Sequence, residues 1–184
     1  MTTDLRVDSQ AFARIVERGA LWSRMARAGD RLPIQPLIEV DLGPIHLDRL
    51  LDTGPVVLLF VRYASSPACA AALRGYATTL APALAERDAH LVAVSPQLPE
   101  RLRPLKQDFL VASDPRHTLI DALNLGFTSP GADVILGTHR SVLPFAAAVV
   151  ADRTGRIRLA EVRPDWSDPI PPRHISEAVP AVVP

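Results

Sequence analysis

The sequence predicts an α/β domain in which a mixed sheet carries helices on both faces. Residues 56–61 and 90–94 are apolar runs with several β-branched side chains, the pattern of strands buried on both faces, and each run precedes a helical segment. Residues 145–151 and 156–162 flank a turn that contains Gly155, so they predict an antiparallel hairpin. The 184 residues and the 48% hydrophobic fraction fit one core of ordinary size.

Charge and composition exclude several classes of function. A formal net charge of zero removes the global attraction that would drive non-specific binding to nucleic acid or to an anionic membrane. The single cysteine, Cys69, and five scattered His residues predict no metal, no cofactor and no internal disulfide. The start of the chain lacks the pattern of a signal peptide, and the longest apolar run, residues 55–61, is too short to span a bilayer. We expect a cytoplasmic protein with a small-molecule or protein partner.

The first predicted element is an amphipathic helix over residues 10–28, because apolar side chains recur there at steps of three to four residues. Ser9 is a good N-cap, and Gly29 ends the segment. We interpret residues 1–30 as a helical extension that caps the domain or contacts a second subunit, and residues 31–184 as the domain itself.

The central strand and the helix after it come next. Residues 30–55 are rich in Pro and Gly and predict irregular or hairpin-like chain with a helical turn near residues 47–51. The strand at 56–61 follows, and after a polar break residues 68–86 predict a helix. Pro82 should kink or restart that helix.

The remaining segments continue the alternation of strands and helices. Short apolar stretches predict strands, and segments that begin after Pro or a polar cap predict helices. The predicted elements are strands at 90–94 and 109–112, helices at 99–107 and 118–125 (stopped by Gly126), a loop at 126–138, the hairpin, a Pro-rich loop at 166–172 and a short helix at 174–179.

The break after the central strand carries the residues with the clearest chemical potential. A cysteine in the first turn of a helix faces unpaired backbone N–H groups and the positive end of the helix dipole, and both favour the nucleophilic thiolate. Ser66 can point its hydroxyl at the same sulfur, and Arg62 can add positive charge. The candidate residues of this segment are Arg62, Tyr63, Ser65, Ser66 and Cys69.

Each of these residues also has a structural interpretation. A lone cysteine in an alanine-rich helix is often an inert, buried side chain. Ser66 can be a plain N-cap, and Arg62 can be a solvated strand-end charge or a member of an ion pair. Tyr63 either lines a pocket or covers the sheet edge. His139, on a loop, is a weaker candidate for a base or a substrate contact.

Several short motifs occur in order along residues 54–158. They are Gly54-Pro55-Val56-Val57-Leu58-Leu59-Phe60-Val61-Arg62, Ser66-Pro67-Ala68-Cys69, Val92-Ala93-Val94-Ser95-Pro96-Gln97, Ser113-Asp114-Pro115, Leu125-Gly126-Phe127 and Val149-Val150-Ala151-Asp152-Arg153-Thr154-Gly155-Arg156-Ile157-Arg158. With them, residues 55–162 resemble the peroxiredoxin-like branch of the alkyl hydroperoxide reductase/thiol-specific antioxidant (AhpC/TSA) family. That family has a thioredoxin-like fold, a mixed central sheet flanked by helices, and its Thr/Ser-x-x-Cys motif corresponds to residues 66–69.

The resemblance implies a function for the break. Cys69 would be the peroxidatic cysteine and Ser66 the hydroxyl that helps to bind peroxide, with Arg62 as polar support. The thiolate would attack a peroxide oxygen and become a sulfenic acid, which an external thiol must reduce because the chain has no second cysteine. The residues proposed to line the substrate site are Tyr63, Ser65, Arg140 and Pro144. A homodimer is one assembly compatible with this reading.

The chain also departs from the family pattern. Arg62 replaces the usual Pro, and Ser66 stands where closely similar members carry the first cysteine of a dithiol pair. The second Arg of the family would fall near Ala146 and is absent, so Arg140 or Arg62 would have to substitute for it. Thioredoxin-like folds place a cis-proline opposite the cysteine, and Pro144 is the nearest candidate.

Three functions therefore remain open at the level of sequence. The first is a thiol peroxidase that acts through Cys69. The second is a thioredoxin-fold module that has lost its chemistry and serves binding or regulation, and it is motivated by the missing Arg. The third keeps the pocket but acts on another small molecule, which no residue identifies.

Overall fold

The computed structural model describes residues 23–181. Within this range the chain forms nine strands and seven α-helices, and no helix is long and apolar enough to cross a membrane. The strands are β1 (Pro36–Glu39), β2 (Gly43–His46), β3 (Val56–Phe60), β4 (His90–Ser95), β5 (Leu110–Ser113), β6 (Gly126–Thr128), β7 (Val142–Pro144), β8 (Ala146–Ala151) and β9 (Ile157–Arg163). The helices are α1 (Leu47–Thr53), α2 (Pro67–Thr79), α3 (Ala81–Ala85), α4 (Pro99–Leu102), α5 (Thr118–Ala122), α6 (Ala132–Leu136) and α7 (Pro172–Ala178), with a 3₁₀ turn at Arg103–Leu105.

Seven of the described strands form one mixed sheet in the order β2-β1-β5-β4-β3-β8-β9. The strands β3, β4 and β5 run parallel, and the remaining neighbours in the sheet pair antiparallel. The strands β6 and β7 form a separate two-stranded sheet. The prediction of a mixed sheet that ends in an antiparallel hairpin is confirmed.

Strand β3 lies between β4 and β8, and all of its residues are buried. Val57 and Leu59 face a core cluster that contains side chains of α2, α3 and α7. Val56, Leu58 and Phe60 face a second cluster, which contains side chains of α1 and α5. Because helices cover both faces, the strand is apolar at every position rather than at alternate ones, which is why the sequence signal is continuous.

Most of the other predicted elements are also found. The helical turn expected near residues 47–51 is α1, and the short terminal helix is α7. The helix expected over residues 68–86 is two helices, α2 and α3, which meet at Leu80. Pro82 lies in the first turn of α3, so the predicted restart is confirmed.

The helix predicted over residues 10–28 lies outside the described residues up to residue 22. From there on the prediction is wrong, because the chain forms turns. Several groups of this segment contact the rest of the domain: the Ala26 N–H donates to the Leu123 carbonyl oxygen at 3.3 Å, the Gly29 N–H donates to the Ile157 carbonyl oxygen at 2.8 Å, and Met25 is buried in the core. Tertiary contacts thus replace the bonds that would continue a helix.

Two predicted helices are shorter than expected. The segment 99–107 is α-helical only as far as Leu102, because Pro104 has no N–H to donate and a 3₁₀ turn takes over. Helix α5 ends at Ala122 instead of continuing to residue 125. Asn124 adopts a left-handed conformation with φ of 54°, and Asn ends helices in this way much as Gly does.

The loop predicted at residues 126–138 contains a strand and a helix, so that prediction is wrong. Strand β6 pairs with β7, and α6 lies between them in the chain. Gly131 and Gly137 border α6 in left-handed conformations, with φ of 82° and 74°. Elements this short, bordered by glycines, give the same local pattern as a loop.

Candidate active site

Cys69 lies in the first turn of α2, directly after the polar break that follows β3. Pro67 is the first helical residue and Ser66 is the N-cap, with extended backbone and its side-chain Oγ accepting a hydrogen bond from the Cys69 N–H at 3.3 Å. The Cys69 side chain is 1% exposed, and its thiol is free. The sequence prediction of a cysteine at a helix N-terminus is confirmed, and Ser66 is indeed a cap.

A narrow cleft of about 40 Å³ lies in front of Cys69. Its lining comes from two parts of the chain, the beginning of α2 with the end of the β3 segment, and the segment after β9. The lining residues are Arg62, Ser66, Pro67, Ala68, Cys69, Asp165, Trp166 and Ser167. The structure thus brings together the three residues predicted to be catalytic: Cys69, Ser66 and Arg62.

Arg62 is buried, with 5% of its surface exposed, so it is not a solvated charge at the end of the strand. Its Nη2 donates to the carbonyl oxygen of Pro164 at 2.6 Å, and its guanidinium carbon lies 5.4 Å from the centroid of the Phe127 ring. A cation held over an aromatic face in a desolvated place gains about 2 kcal/mol. Because a guanidinium does not lose its proton in proteins, Arg62 supplies a permanent positive charge to the cleft.

The far wall of the cleft belongs to residues 164–171, which we call the strap. Three hydrogen bonds join it to the core: the bond from Arg62 to Pro164, one from the Trp166 indole N–H to the Phe60 carbonyl oxygen at 2.9 Å, and one from the Tyr76 hydroxyl to the Ile170 carbonyl oxygen at 2.6 Å. The rings of Tyr76 and Trp166 also meet edge to face, with centroids 5.8 Å apart. The strap is therefore fixed over α2.

Tyr76 keeps its proton at neutral pH and so can act as a permanent donor to the strap. Burial is the main cause that raises the pKa of Tyr76 above its ordinary value, and the negative charge of Glu161 adds to it. The positive charge of Arg163 opposes this effect only in part.

A wider groove of about 540 Å³ continues from the cleft along α2. It shares Ala68, Trp166 and Ser167 with the cleft. The rest of its lining is mostly apolar and consists of Ala71, Ala72, Gly75, Tyr76, Thr79, Pro169, Ile170 and Pro172. None of the groove-lining side chains carries a charge at neutral pH.

The four side chains predicted to bind substrate do not line the cleft. Tyr63 is buried in a separate apolar cluster with side chains of α6 and β7, and Ser65 is exposed on the break. Arg140 donates to both carboxylate oxygens of Asp121, at 2.5 and 3.1 Å, so its charge is already paired. Pro144 lies in β7. Of the two arginines expected to replace the missing one, Arg62 is at the cleft and Arg140 is not.

The expected cis-proline is not found. All described peptide bonds are trans, including the one before Pro144, which lies in β7 and pairs with Gly126. The place where the resemblance implies an Arg is held by buried Ala146, and its partner across the β8–β9 ladder is Arg163. His139 is exposed and does not line the cleft.

Arg163 does not offer a free charge in place of the missing arginine. Its Nη2 lies 2.8 Å from a carboxylate oxygen of Glu161, and its Nη1 lies 3.5 Å from one of Asp168. Arg62 is therefore the one cation among the residues that line the cleft.

The strap residues of the cleft were not found from the sequence. The Pro-rich loop predicted at residues 166–172 is found as far as Pro171, but nothing in the sequence indicates that Asp165, Trp166 and Ser167 line a cleft with Cys69. The available signal was a lone Trp just after the final hairpin, because a large aromatic in a loop usually covers a core. Within residues 23–181, no group of three or more side chains could hold a metal ion.

The comparisons with known proteins identify the family and the fold. The model of the AhpC/TSA family matches residues 28–160, and no curated protein matches the chain. The peroxidoxin BcpB from Mycobacterium tuberculosis is 21% identical, with a TM-score of 0.67 over 84% of this chain and 99% of that chain. The yeast mitochondrial 1-Cys peroxiredoxin is 19% identical, with a TM-score of 0.60 over 76% and 68%. The Plasmodium vivax 2-Cys peroxiredoxin is 17% identical, with a TM-score of 0.66 over 83% and 94%.

At these identities the solved structures establish the fold, which is the thioredoxin-like fold of peroxiredoxins. The family match is broader evidence, because it covers more than half of the chain and includes the cysteine motif, the central strand and most of the final hairpin. The chain belongs to the AhpC/TSA family.

Proposed function

We propose that the protein is a thiol peroxidase of the one-cysteine type, which reduces hydrogen peroxide or organic hydroperoxides through a sulfenic acid on Cys69. Membership of the AhpC/TSA family supports thiol peroxidase chemistry in general. The observation that carries the finer proposal is the position of Cys69 in the first turn of α2, in one small cleft with Ser66 and Arg62.

The cleft has the groups that this reaction needs. The N-terminus of α2 and the Arg62 guanidinium both favour negative charge on the sulfur and on the oxygen that leaves. The Cys69 thiolate attacks one peroxide oxygen, the S–O bond forms as the O–O bond breaks, and the second oxygen departs as water or alcohol after it gains a proton. The sulfur is oxidised by two electrons and the peroxide is reduced by two.

The dimensions of the site support both kinds of peroxide. The cleft of about 40 Å³ has room for a group of the size of a peroxide, since a cavity needs roughly 10–15 Å³ of such volume to hold one water molecule. The organic part of a hydroperoxide would lie in the adjoining groove, whose apolar lining suits an uncharged chain.

Regeneration of Cys69 needs an external thiol, because the chain has no second cysteine. The cytoplasm keeps small thiols and thioredoxins reduced, so we place the proposed cycle there. This location and the identity of the reductant are part of the proposal.

The test uses the single cysteine. After one equivalent of hydrogen peroxide, we expect wild-type protein to carry a sulfenic acid on Cys69, detected by mass spectrometry after trapping with dimedone. The Cys69→Ser and Cys69→Ala variants should show no adduct and no peroxide consumption. A folded wild-type protein whose thiol is unchanged by peroxide would contradict the proposal.

One observation favours a second function, a non-catalytic binding or regulatory module. Ala146 stands where the resemblance implies an Arg, and Arg163 across the ladder is paired with carboxylates. Losing one donor to a developing anion costs on the order of 3 kcal/mol of transition-state stabilisation. This alternative predicts that Cys69→Ala retains full biological activity, and loss of activity in that variant would contradict it.

A further inference from the structure

Asp165 is the one acidic residue among those that line the Cys69 cleft. It lies on the strap, half-buried, and its position is fixed locally: Oδ1 accepts the Ser167 N–H at 2.7 Å and also the Ser167 hydroxyl. A carboxylate has about four acceptor positions, of which Ser167 uses two. The residue can therefore hold its place and still accept a further hydrogen bond.

The two walls of the cleft come from different parts of the chain. The cleft has a volume of about 40 Å³, and Cys69 and Asp165 both belong to its lining. Cys69 and Ser66 lie on the α2 wall, and Asp165 lies on the strap wall. A peroxide bound in the cleft would therefore lie beside residues of both walls.

The other ionisable groups in this region are unsuited to proton transfer. Arg62 stays protonated, and the Tyr76 hydroxyl keeps its proton while it donates a hydrogen bond to the Ile170 carbonyl oxygen. Asp168 and Glu161 are both paired with Arg163, and His174 faces Glu161 at 3.2 Å. Among the residues that line the cleft, Asp165 is the one carboxylate, a type of side chain that can accept a proton and return it.

We propose that Asp165 is the proton carrier of the Cys69 reaction, which rests on the proposed thiol peroxidase function. Asp165 accepts the proton of the Cys69 thiol, and the thiolate then attacks the hydroxyl oxygen of the hydroperoxide. The S–O bond forms, the O–O bond breaks with its electron pair on the departing oxygen, and the Asp165 carboxylic acid returns the proton to that oxygen. In the overall reaction a thiol and a hydroperoxide give a sulfenic acid and water or an alcohol, and both atoms and electrons balance.

The proposal predicts that removal of the Asp165 carboxylate raises the fraction of Cys69 present as thiolate but lowers the rate of its reaction with peroxide. A nearby carboxylate disfavours a thiolate, so its removal should stabilise the thiolate of Cys69 while it removes the proton donor. A residue with a merely structural role would lower both the thiolate population and the peroxide rate, or change neither.

The test variant is Asp165→Asn, which keeps an amide oxygen for the two Ser167 bonds. Thiolate is followed by its ultraviolet absorbance against pH, with Cys69→Ser as the blank, because Cys69 is the single source of the signal. We expect the titration midpoint to move to lower pH by roughly one unit. We expect the rate of sulfenic acid formation with hydrogen peroxide to fall about a hundredfold.

Asp168→Asn is the matched control, since Asp168 is on the same strap and 78% exposed, and does not line the cleft. It should change neither the midpoint nor the rate. Asp165→Glu, which keeps the carboxyl group, should recover part of the rate. An unchanged peroxide rate in Asp165→Asn, or a fall in rate without the shift in midpoint, overturns the proposal.

The same measurements separate this inference from the function on which it rests. If wild-type protein does not react with peroxide, the proposed function fails and proton transfer fails with it. If wild-type protein reacts but Asp165→Asn reacts equally fast, the peroxidase proposal stands and the role of Asp165 is wrong.

Discussion

The hydroxyl of Ser66 can form two hydrogen bonds with different roles, one through its oxygen and one through its proton. Its oxygen accepts the Cys69 N–H and so caps α2, while its proton can be donated to a ligand in the cleft. The sequence left a choice between a cap and a substrate contact. The geometry permits both at once, because accepting one hydrogen bond does not use the donor.

Substitution at this position separates the two tasks. Ser66→Ala should lower the free energy of unfolding by about 1 kcal/mol, because it removes the cap, and should slow the reaction of Cys69 with peroxide. Ser66→Thr retains an oxygen and a proton and serves as the control, with both quantities near wild type. Urea denaturation and stopped-flow measurements check the two effects. A stability loss without a change in rate would restrict Ser66 to capping.

Asp152 holds the turn between β8 and β9. Its Oδ1 accepts the Thr154 N–H at 2.9 Å, the Thr154 hydroxyl at 2.6 Å and the Arg156 N–H at 3.1 Å. Burial by itself would raise the pKa of Asp152, but these hydrogen bonds and the charge of Arg158 together lower it below its ordinary value.

The sign of the pH effect follows from this direction. Because the folded-state pKa of Asp152 lies below that of the unfolded chain, about 3.9, its stabilisation is present above that pH and is lost as the pH falls through the folded value. Asp152→Ala should therefore lower the free energy of unfolding by about 2 kcal/mol at neutral pH, with a difference that shrinks in acid.

The measurement is urea unfolding of wild type and variant at several pH values. Asp108→Ala, at an exposed position, is the control and should stay within about 0.5 kcal/mol of wild type throughout. A difference for Asp152→Ala that does not depend on pH would show that its charge is not involved.

Residue chemistry near Cys69 was partly predictable. Position alone indicates Cys69, Ser66 and Arg62 as candidates, because each lies at a strand exit or a helix start. The burial of Arg62 was not predictable, since its acceptor on Pro164 is 102 residues away in the chain. No local pattern contains that contact.

Among the secondary-structure elements, the connection from α1 to β3 depends on a close approach of two backbones. A Cβ atom built on Gly54 would lie 1.8 Å from the Asp88 carbonyl oxygen and 3.0 Å from its carbon. Both atoms are backbone, so a side-chain rotation cannot relieve the clash. Only glycine fits at this position, between the end of α1 and the start of the central strand β3.

Replacement of glycine by alanine should therefore change the free energy of unfolding in opposite directions at Gly54 and at Gly75. Gly54→Ala should lower the free energy of unfolding by about 3 kcal/mol, because the turn at Asp88 must move. Gly75→Ala, in the interior of α2 where the added Cβ would meet no atom within 4 Å beyond the adjacent residues and the backbone of its own helix, should raise it by about 1 kcal/mol. Thermal and urea denaturation of both variants check this. Equal effects in the two variants would contradict the backbone argument.

Element length explains which predictions succeeded. Strands β3, β4 and β8 are long and apolar, and the sequence predicted each within one or two residues. Strands β6 and β7 and helix α6 have three to five residues each, too few to show a period. The segment with Arg140 and Pro144 belongs to this region, which is why both were assigned to the wrong surroundings.

At the scale of the whole molecule, the fold class followed from the sequence but the cleft did not. Alternating strands and helices, with a final hairpin, are enough to predict the mixed sheet. The cleft forms only when the chain returns after β9 and lays the strap over α2. The strap residues reach the cleft because of the path of the folded chain after β9. Their spacing from Cys69 along the sequence does not predict this.

The strap is anchored mainly through its own carbonyl oxygens, those of Pro164 and Ile170, and by the indole of Trp166. Every residue type offers a carbonyl oxygen, so most strap side chains can be exchanged without losing these attachments. Asp165 and Ser167 could therefore be substituted without a change in the sheet, in α2 or in the position of the thiol. In this architecture backbone carbonyl oxygens hold the strap in place, and the side chains that line the cleft opposite the sulfur can change without moving it.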